Sequence, residues 1–89
     1  MGKPTQIPVG RLQFKEGREP VVPLDLLDSI QLKGIINPLL VLRGSDGLHV
    51  YIGNQRLAAA RKLGIGAVPC VFVNSQEEVE AELGRYRDP

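Results

Sequence analysis

Gly34, Pro38, Gly47, Gly53 and Gly64 constrain this chain more than any other feature, because they cut its middle into short pieces whose hydrophobic period alternates between helix and strand. Leu26, Leu27 and Ile30 form an apolar stripe opposite Asp25, Asp28 and Gln31, which predicts a helix from about Leu24 to Leu32. Pro23 suits its first turn, where the missing N–H has no intrahelical partner, and Gly34 suits the left-handed stop just past its end. Pro38 blocks further helix. Leu39-Leu40-Val41-Leu42 then reads as a buried strand, turned back by Ser45-Asp46-Gly47 into Leu48 to Ile52 as a β-hairpin. In that second strand Leu48, Val50 and Ile52 alternate with His49 and Tyr51, so one side is expected to face the core and the other not, with His49 a surface residue. Gly53 ends the strand, and Asn54 reads as the N-cap of a helix from Gln55 to Leu63 that Gly64 stops.

The flanks are read in the same way. Gln6 to Phe14 carries Ile7, Val9, Leu12 and Phe14 interrupted by Pro8 and Gly10, which suggests a short edge strand before the charged loop Lys15 to Pro20. Val68 to Val73 is the most strand-like run, and Cys70 shares a face with Val68 and Phe72, as a packed core thiol would. Ser75 through Glu78 forms a capping box, opening an acidic helix with Val79, Leu83 and Tyr86 on one side. The expected fold is α/β (α+β): a small mixed sheet of about four strands, with a β-hairpin, flanked by three short helices. Residues 6–74 form the expected domain core, and 75–89 an acidic C-terminal helix and tail.

At 89 residues only one core is available. The 11 basic and 10 acidic residues nearly cancel, so bulk charge argues for neither nucleic acid nor membrane as a partner. Their distribution is uneven. Through Lys62 there are nine Lys and Arg against five Asp and Glu, and afterwards two against five, so the anion-facing part is the N-terminal two-thirds. One cysteine excludes an internal disulfide, and no apolar run is long enough for a bilayer, which makes the cytoplasm the expected location. A single Cys and a single His give no protein-built metal site, so a metal ion is expected only with a nucleotide.

The chemistry concentrates at Gly53. A strand leading through a glycine into a helix gathers free backbone N–H groups and the positive helix end at one spot, where an anion can be held. Asn54 and Gln55 offer amide donors there, and Arg56 adds a fixed, fork-shaped charge. At 100° per residue Arg56 falls on the stripe of Ala59, Ala60 and Leu63, so it points inward and needs a partner: a bound phosphate, or Glu16, Glu19, Asp25 or Asp28.

The order helix, Gly34-Ile35-Ile36-Asn37-Pro38-Leu39-Leu40-Val41, hairpin, Gly53-Asn54-Gln55-Arg56-Leu57-Ala58-Ala59-Ala60-Arg61-Lys62-Leu63-Gly64 and Val68-Pro69 resembles the ParB N-terminal (ParB/sulfiredoxin-like, "ParB-like nuclease") domain family. The resemblance covers roughly residues 6 to 74 and implies that the Gly53 box binds nucleotide phosphates, those of CTP in partition proteins and of ATP in sulfiredoxins and free-serine kinases. Gly53 and Arg56 match that box. Asn54 and Gln55 replace its acidic and first basic residues, and Ala58 stands where partition proteins usually carry arginine. Asn54 also occupies the position of the catalytic cysteine of sulfiredoxins, so sulfiredoxin activity is not expected.

What the resemblance implies is a domain that binds a nucleotide or other phosphate group through Gly53, Asn54, Gln55 and Arg56, with Arg18, Lys33 and Asn37 as further contacts, in a DNA-related role of partition, plasmid or phage type. The implied cofactor is a nucleoside triphosphate, CTP or ATP, with Mg; nucleotide hydrolysis or nuclease activity is left open. The implied partners are nucleotide or DNA phosphate, and a second copy or domain through the C-terminal helix. The alternatives are a non-catalytic DNA- or protein-binding module, and a small DNA nuclease, for which Asp25, Asp28 and Asp46 do not cluster in sequence.

Overall fold

A computed structural model of the chain describes residues 3–86, with side chains through Glu82. The elements run β1 (Thr5–Pro8), a 3-10 turn (Val9–Arg11), β2 (Leu12–Phe14), α1 (Leu24–Lys33), β3 (Leu39–Gly44), β4 (Gly47–Ile52), α2 (Asn54–Lys62), β5 (Ala67–Val73) and α3 (Gln76–Tyr86). The sheet is mixed, in the order β1-β5-β3-β4-β2. β3 pairs antiparallel with β4 across the hairpin and parallel with β5, while the edge strands are β1, antiparallel to β5, and β2, parallel to β4.

Among the described residues the sheet has five strands, where about four were expected. The segment Gln6 to Phe14, read as one edge strand, is two strands on opposite edges. Pro8 has no N–H to continue a ladder, and the 3-10 turn after it carries the chain across the end of the sheet. Arg61 secures that crossing. Its Nη2 donates to the carbonyls of Val9 at 3.4 Å and Leu12 at 2.9 Å, and its guanidinium stacks 4.8 Å from the centre of the Phe14 ring.

Both faces of the sheet are covered. On one, Leu39, Val41, Val50, Val68 and Cys70 pack against Leu57, Ala58 and Ala60 of α2. On the other, Leu40, Val71 and Val73 pack against Val79 of α3, with Tyr51 and Ile52 partly covered beside them. The expectation that the Tyr51 side of β4 faces away from a core is therefore corrected. A register shift between Leu40 and Val41 also moves Ile52 off the face of Val50, because a bulge breaks the period of two. Cys70 lies on the predicted face, and Ser75 caps α3 as predicted, its Oγ accepting the Glu78 N–H at 3.2 Å. The expected partners of Val79, Leu83 and Tyr86, lie outside the described side chains.

α1 begins at Leu24, the expected start, so Pro23 precedes the first helical residue instead of lying in the first turn. Pro23 sits in the cap position with extended backbone, and its carbonyl accepts the N–H groups of Leu26 and Leu27. Gly34 ends the helix at φ 75, its N–H bonded to the Ile30 carbonyl at 2.8 Å. α2 carries four consecutive residues, Leu57, Ala58, Ala59 and Ala60, with no exposed surface. Helix α1 packs on one side of it and β3 and β5 beneath, and the alanines allow that close approach. The buried arc therefore centres on these four residues, leaving Arg56 half-buried at its rim. Among the described residues, no helix is long and apolar enough to cross a membrane.

Candidate functional site

Where α2 meets α1 the surface opens into a cleft of about 570 Å³, within the range of small-molecule sites. Leu26, Ser29 and Ile30 of α1 form one wall, Gly34–Asn37 the end, and Gly53–Arg56 the other wall. Residues 34–37 thus lie beside the Gly53 turn, because the antiparallel hairpin sets the start of β3 next to the end of β4, where α2 begins.

Gly53 is required by the turn itself. Its backbone is left-handed, at φ 101 and ψ 21, and a Cβ there would lie 2.7 Å from Leu39 Cγ and 3.3 Å from Arg56 Nη2. Gly53 is also the helix cap, a correction to the expectation that Asn54 caps it. The Gly53 carbonyl accepts the Leu57 N–H at 2.8 Å, the cap residue supplies no side-chain cap bond among the described residues, and the first turn has no acidic residue. Those donors and the positive end of the helix dipole border the cleft.

Asn54 does not cap α2 because its side chain turns back toward the sheet. Its Nδ2 donates to the Val50 carbonyl at 2.9 Å and its Oδ1 accepts the Lys15 N–H at 3.0 Å. Gln55 is exposed, and its Nε2 donates to the Val21 carbonyl at 3.2 Å. Arg56 Nη1 donates to the Asn37 carbonyl at 2.6 Å, so the arginine joins its wall of the cleft to the end. Of the three further contacts expected, Asn37 lines the cleft, whereas Lys33 and Arg18 are exposed and lie outside its lining.

Other chemically suggestive groups lie elsewhere. Cys70 is buried, and burial pushes its thiol up to about 11, which suits a core residue and not a nucleophile. His49 Nε2 lies 2.8 Å from Asp46 Oδ1 at the hairpin turn, and this hydrogen bond holds the Asp46 carboxyl below its usual range. Among the described residues, no three His, Cys, Asp or Glu side chains are grouped to hold a metal ion. Sequence reasoning missed Leu26, Ser29 and Ile30 as cleft residues; Leu26 and Ile30 read as core stripe, and only the placement of α2 reveals that the stripe's edge stays open.

A family model described as the ParB N-terminal domain matches residues 4–85. The chromosome-partitioning protein Spo0J of Thermus thermophilus is 37% identical over 59 residues, covering 66% of this chain and 22% of that protein. The chain thus spans about a fifth of the length of that relative. Among solved structures, the C-terminally truncated chromosome-partitioning protein ParB of Caulobacter crescentus, complexed with CTP-gamma-S, superposes with a TM-score of 0.73 at 26% identity, covering 93% of this chain and 51% of that one. Sulfiredoxin from Arabidopsis thaliana has the same fold, with a TM-score of 0.69 at 20% identity over 89% of this chain and 93% of that one.

Proposed function

The chain belongs to the ParB N-terminal domain family, and from that premise we propose that it binds a nucleoside triphosphate, CTP or ATP, with the phosphates at the first turn of α2. The observation that carries this reading is the helix start bordering the cleft without a side-chain cap, beside the Arg56 guanidinium. Phosphate oxygens accept from backbone N–H groups that a capped helix would have satisfied internally, and the helix dipole adds to the attraction. The residues present fit such a ligand: a Cβ at Gly53 would fill the turn, the neighbouring lining has no carboxylate to repel phosphate, and the cleft extends past the helix start to Ile35 and Ile36.

In this assignment the backbone N–H groups of Asn54, Gln55 and Arg56 hold phosphate oxygens, and Arg56 supplies the compensating charge. Asn37 fixes that guanidinium through its carbonyl. A divalent ion, where one is needed, is carried by the phosphates. Support also comes from the Caulobacter relative, which is solved with CTP-gamma-S, and the role that follows is a DNA-related one of partition, plasmid or phage type in the cytoplasm.

A second reading is favoured by one observation. Val21, Leu24, Leu32 and Ile36 are 71 to 88% exposed, which suits a non-catalytic protein-binding surface around α1. Thermal unfolding with ATP, CTP or GTP plus magnesium separates the two. Ligand at 100 times its dissociation constant stabilises the native state by about 2.7 kcal/mol, and Arg56→Ala is expected to abolish that increment. A wild type that no nucleotide stabilises leaves the protein-binding reading in its place.

A further inference from the structure

Helix α1 divides its surface between two uses. Leu26, Ser29 and Ile30 line the cleft, whereas Leu24, Asp25, Asp28 and Leu32 fall within about 100° of one another on the outward side of the helix. That outward side is open to solvent: Leu24 is 78% and Leu32 84% exposed, and both aspartates are exposed. Leu24 and Leu32 lie about two turns apart, roughly 12 Å along the axis, with Asp28 between them. Val21 before the helix and Ile36 after it are exposed as well. Apolar side chains at this spacing on one helical face are the anchors by which helices pack, and among the described residues no element covers them.

The charge on that face runs against the charge of the chain around it. Nine Lys and Arg stand against five Asp and Glu through Lys62, yet four of those five acids, Glu16, Glu19, Asp25 and Asp28, fall within residues 16–28. Asp25 accepts the Leu26 N–H at 3.0 Å, and among the described residues neither Asp25 nor Asp28 lies in an ion pair. A second copy of this chain is a poor occupant. A two-fold axis that matches Leu24 with Leu32 passes at Asp28 and sets that carboxylate against its own copy, and an axis that matches each leucine with itself does the same. Two like charges would then meet between the apolar contacts, where little water is left to screen them. We propose that the outward face of α1 docks an amphipathic helix of another protein, one that places a Lys or Arg opposite Asp28 and leucine-like side chains against Leu24 and Leu32. The proposal rests on the protein-binding reading above and deepens it by naming the chemistry of the partner. The apolar contacts supply the attraction, and Asp28 selects the sign of the partner's charge. A nucleotide in the cleft does not compete, since it meets the other side of α1.

The test uses the full chain and two designed peptides of about 18 residues, long enough to form a helix alone. Both carry the same leucine face, bordered in one by lysine and in the other by glutamate. Fluorescence anisotropy is expected to show saturable binding of the lysine peptide, about tenfold tighter than that of the glutamate peptide. Leu32→Ser, a change at an exposed position that should leave the thermal midpoint near wild type, is expected to weaken the lysine peptide about tenfold. Asp28→Lys is expected to reverse the preference between the two peptides. Equal binding of both peptides by the wild type, or a preference that Asp28→Lys leaves unchanged, overturns the proposal while the protein-binding reading stands. Binding of neither peptide, or binding that Leu32→Ser does not weaken, overturns both. Sedimentation that shows self-association of the wild type, lost in Leu32→Ser, also overturns the proposal, because it gives the face to a second copy.

Discussion

Two strand-to-helix junctions in this molecule solve the same problem in opposite ways. Between β5 and α3, Ser75 caps the helix through its hydroxyl, and Glu77 and Glu78 in the first turn complement the dipole. Between β4 and α2, a left-handed glycine replaces the capping side chain, and the first turn carries no acid. The first junction satisfies itself. The second leaves donors and partial positive charge at a cleft, with an arginine held beside them by the Asn37 carbonyl. The lesson is that a strand-turn-helix unit becomes a candidate anion site through what its cap leaves undone.

The sharpest way to break this contrast is to remove the glycine. Gly53→Ala forces a side chain into a left-handed position 2.7 Å from Leu39 Cγ, and strain plus overpacking should cost about 3 kcal/mol in chemical denaturation. Asn54 next to it cannot compensate, being committed to Val50 and Lys15.

A smaller effect separates the two faces of β5. Cys70 points to the α2 side and Val71 and Val73 to the α3 side. Because burial raises the thiol of Cys70 from 9.0 to about 11, the folded state keeps it neutral while an unfolded chain ionises. Its stabilising effect is therefore full below about pH 9 and is lost as pH rises toward 11, on the order of 2 kcal/mol. Cys70→Ala should flatten that alkaline limb of the stability curve, and a thiol reagent at pH 8 should label the wild type only as fast as it opens.

The smallest effect is at the other junction. Ser75→Ala removes one capping bond and should cost about 1 kcal/mol, with no change in nucleotide response. A loss of nucleotide response in Ser75→Ala would blur the distinction between the two helix starts.

Much of this arrangement is legible in the sequence because it is local. The hairpin, the glycine stop at Gly34, the face shared by Val68 and Cys70, and the Ser75 cap each depend on residues a few positions apart. The Gly53 box is legible for the same reason. The remainder depends on long separations. The split of Gln6–Phe14 between two sheet edges becomes visible only with β4 and β5 in place, and Arg61 secures it from 49 residues away along the chain. The local rule for caps misplaces Asn54, because it competes with a partner, the Lys15 N–H, that lies 39 residues earlier. The cover over Tyr51 comes from α3, and no periodicity within β4 can announce it.

The central claim is that anion binding belongs to the start of α2 and not to the start of α3. A titration of the 15N-labelled protein with MgATP or MgCTP, followed by backbone amide shifts, tests it most directly. The account predicts that the amides of Asn54, Gln55 and Arg56 move most and saturably, while those of Gln76, Glu77 and Glu78 stay in place; equal or larger movement at α3, or no saturable movement at α2, would contradict it.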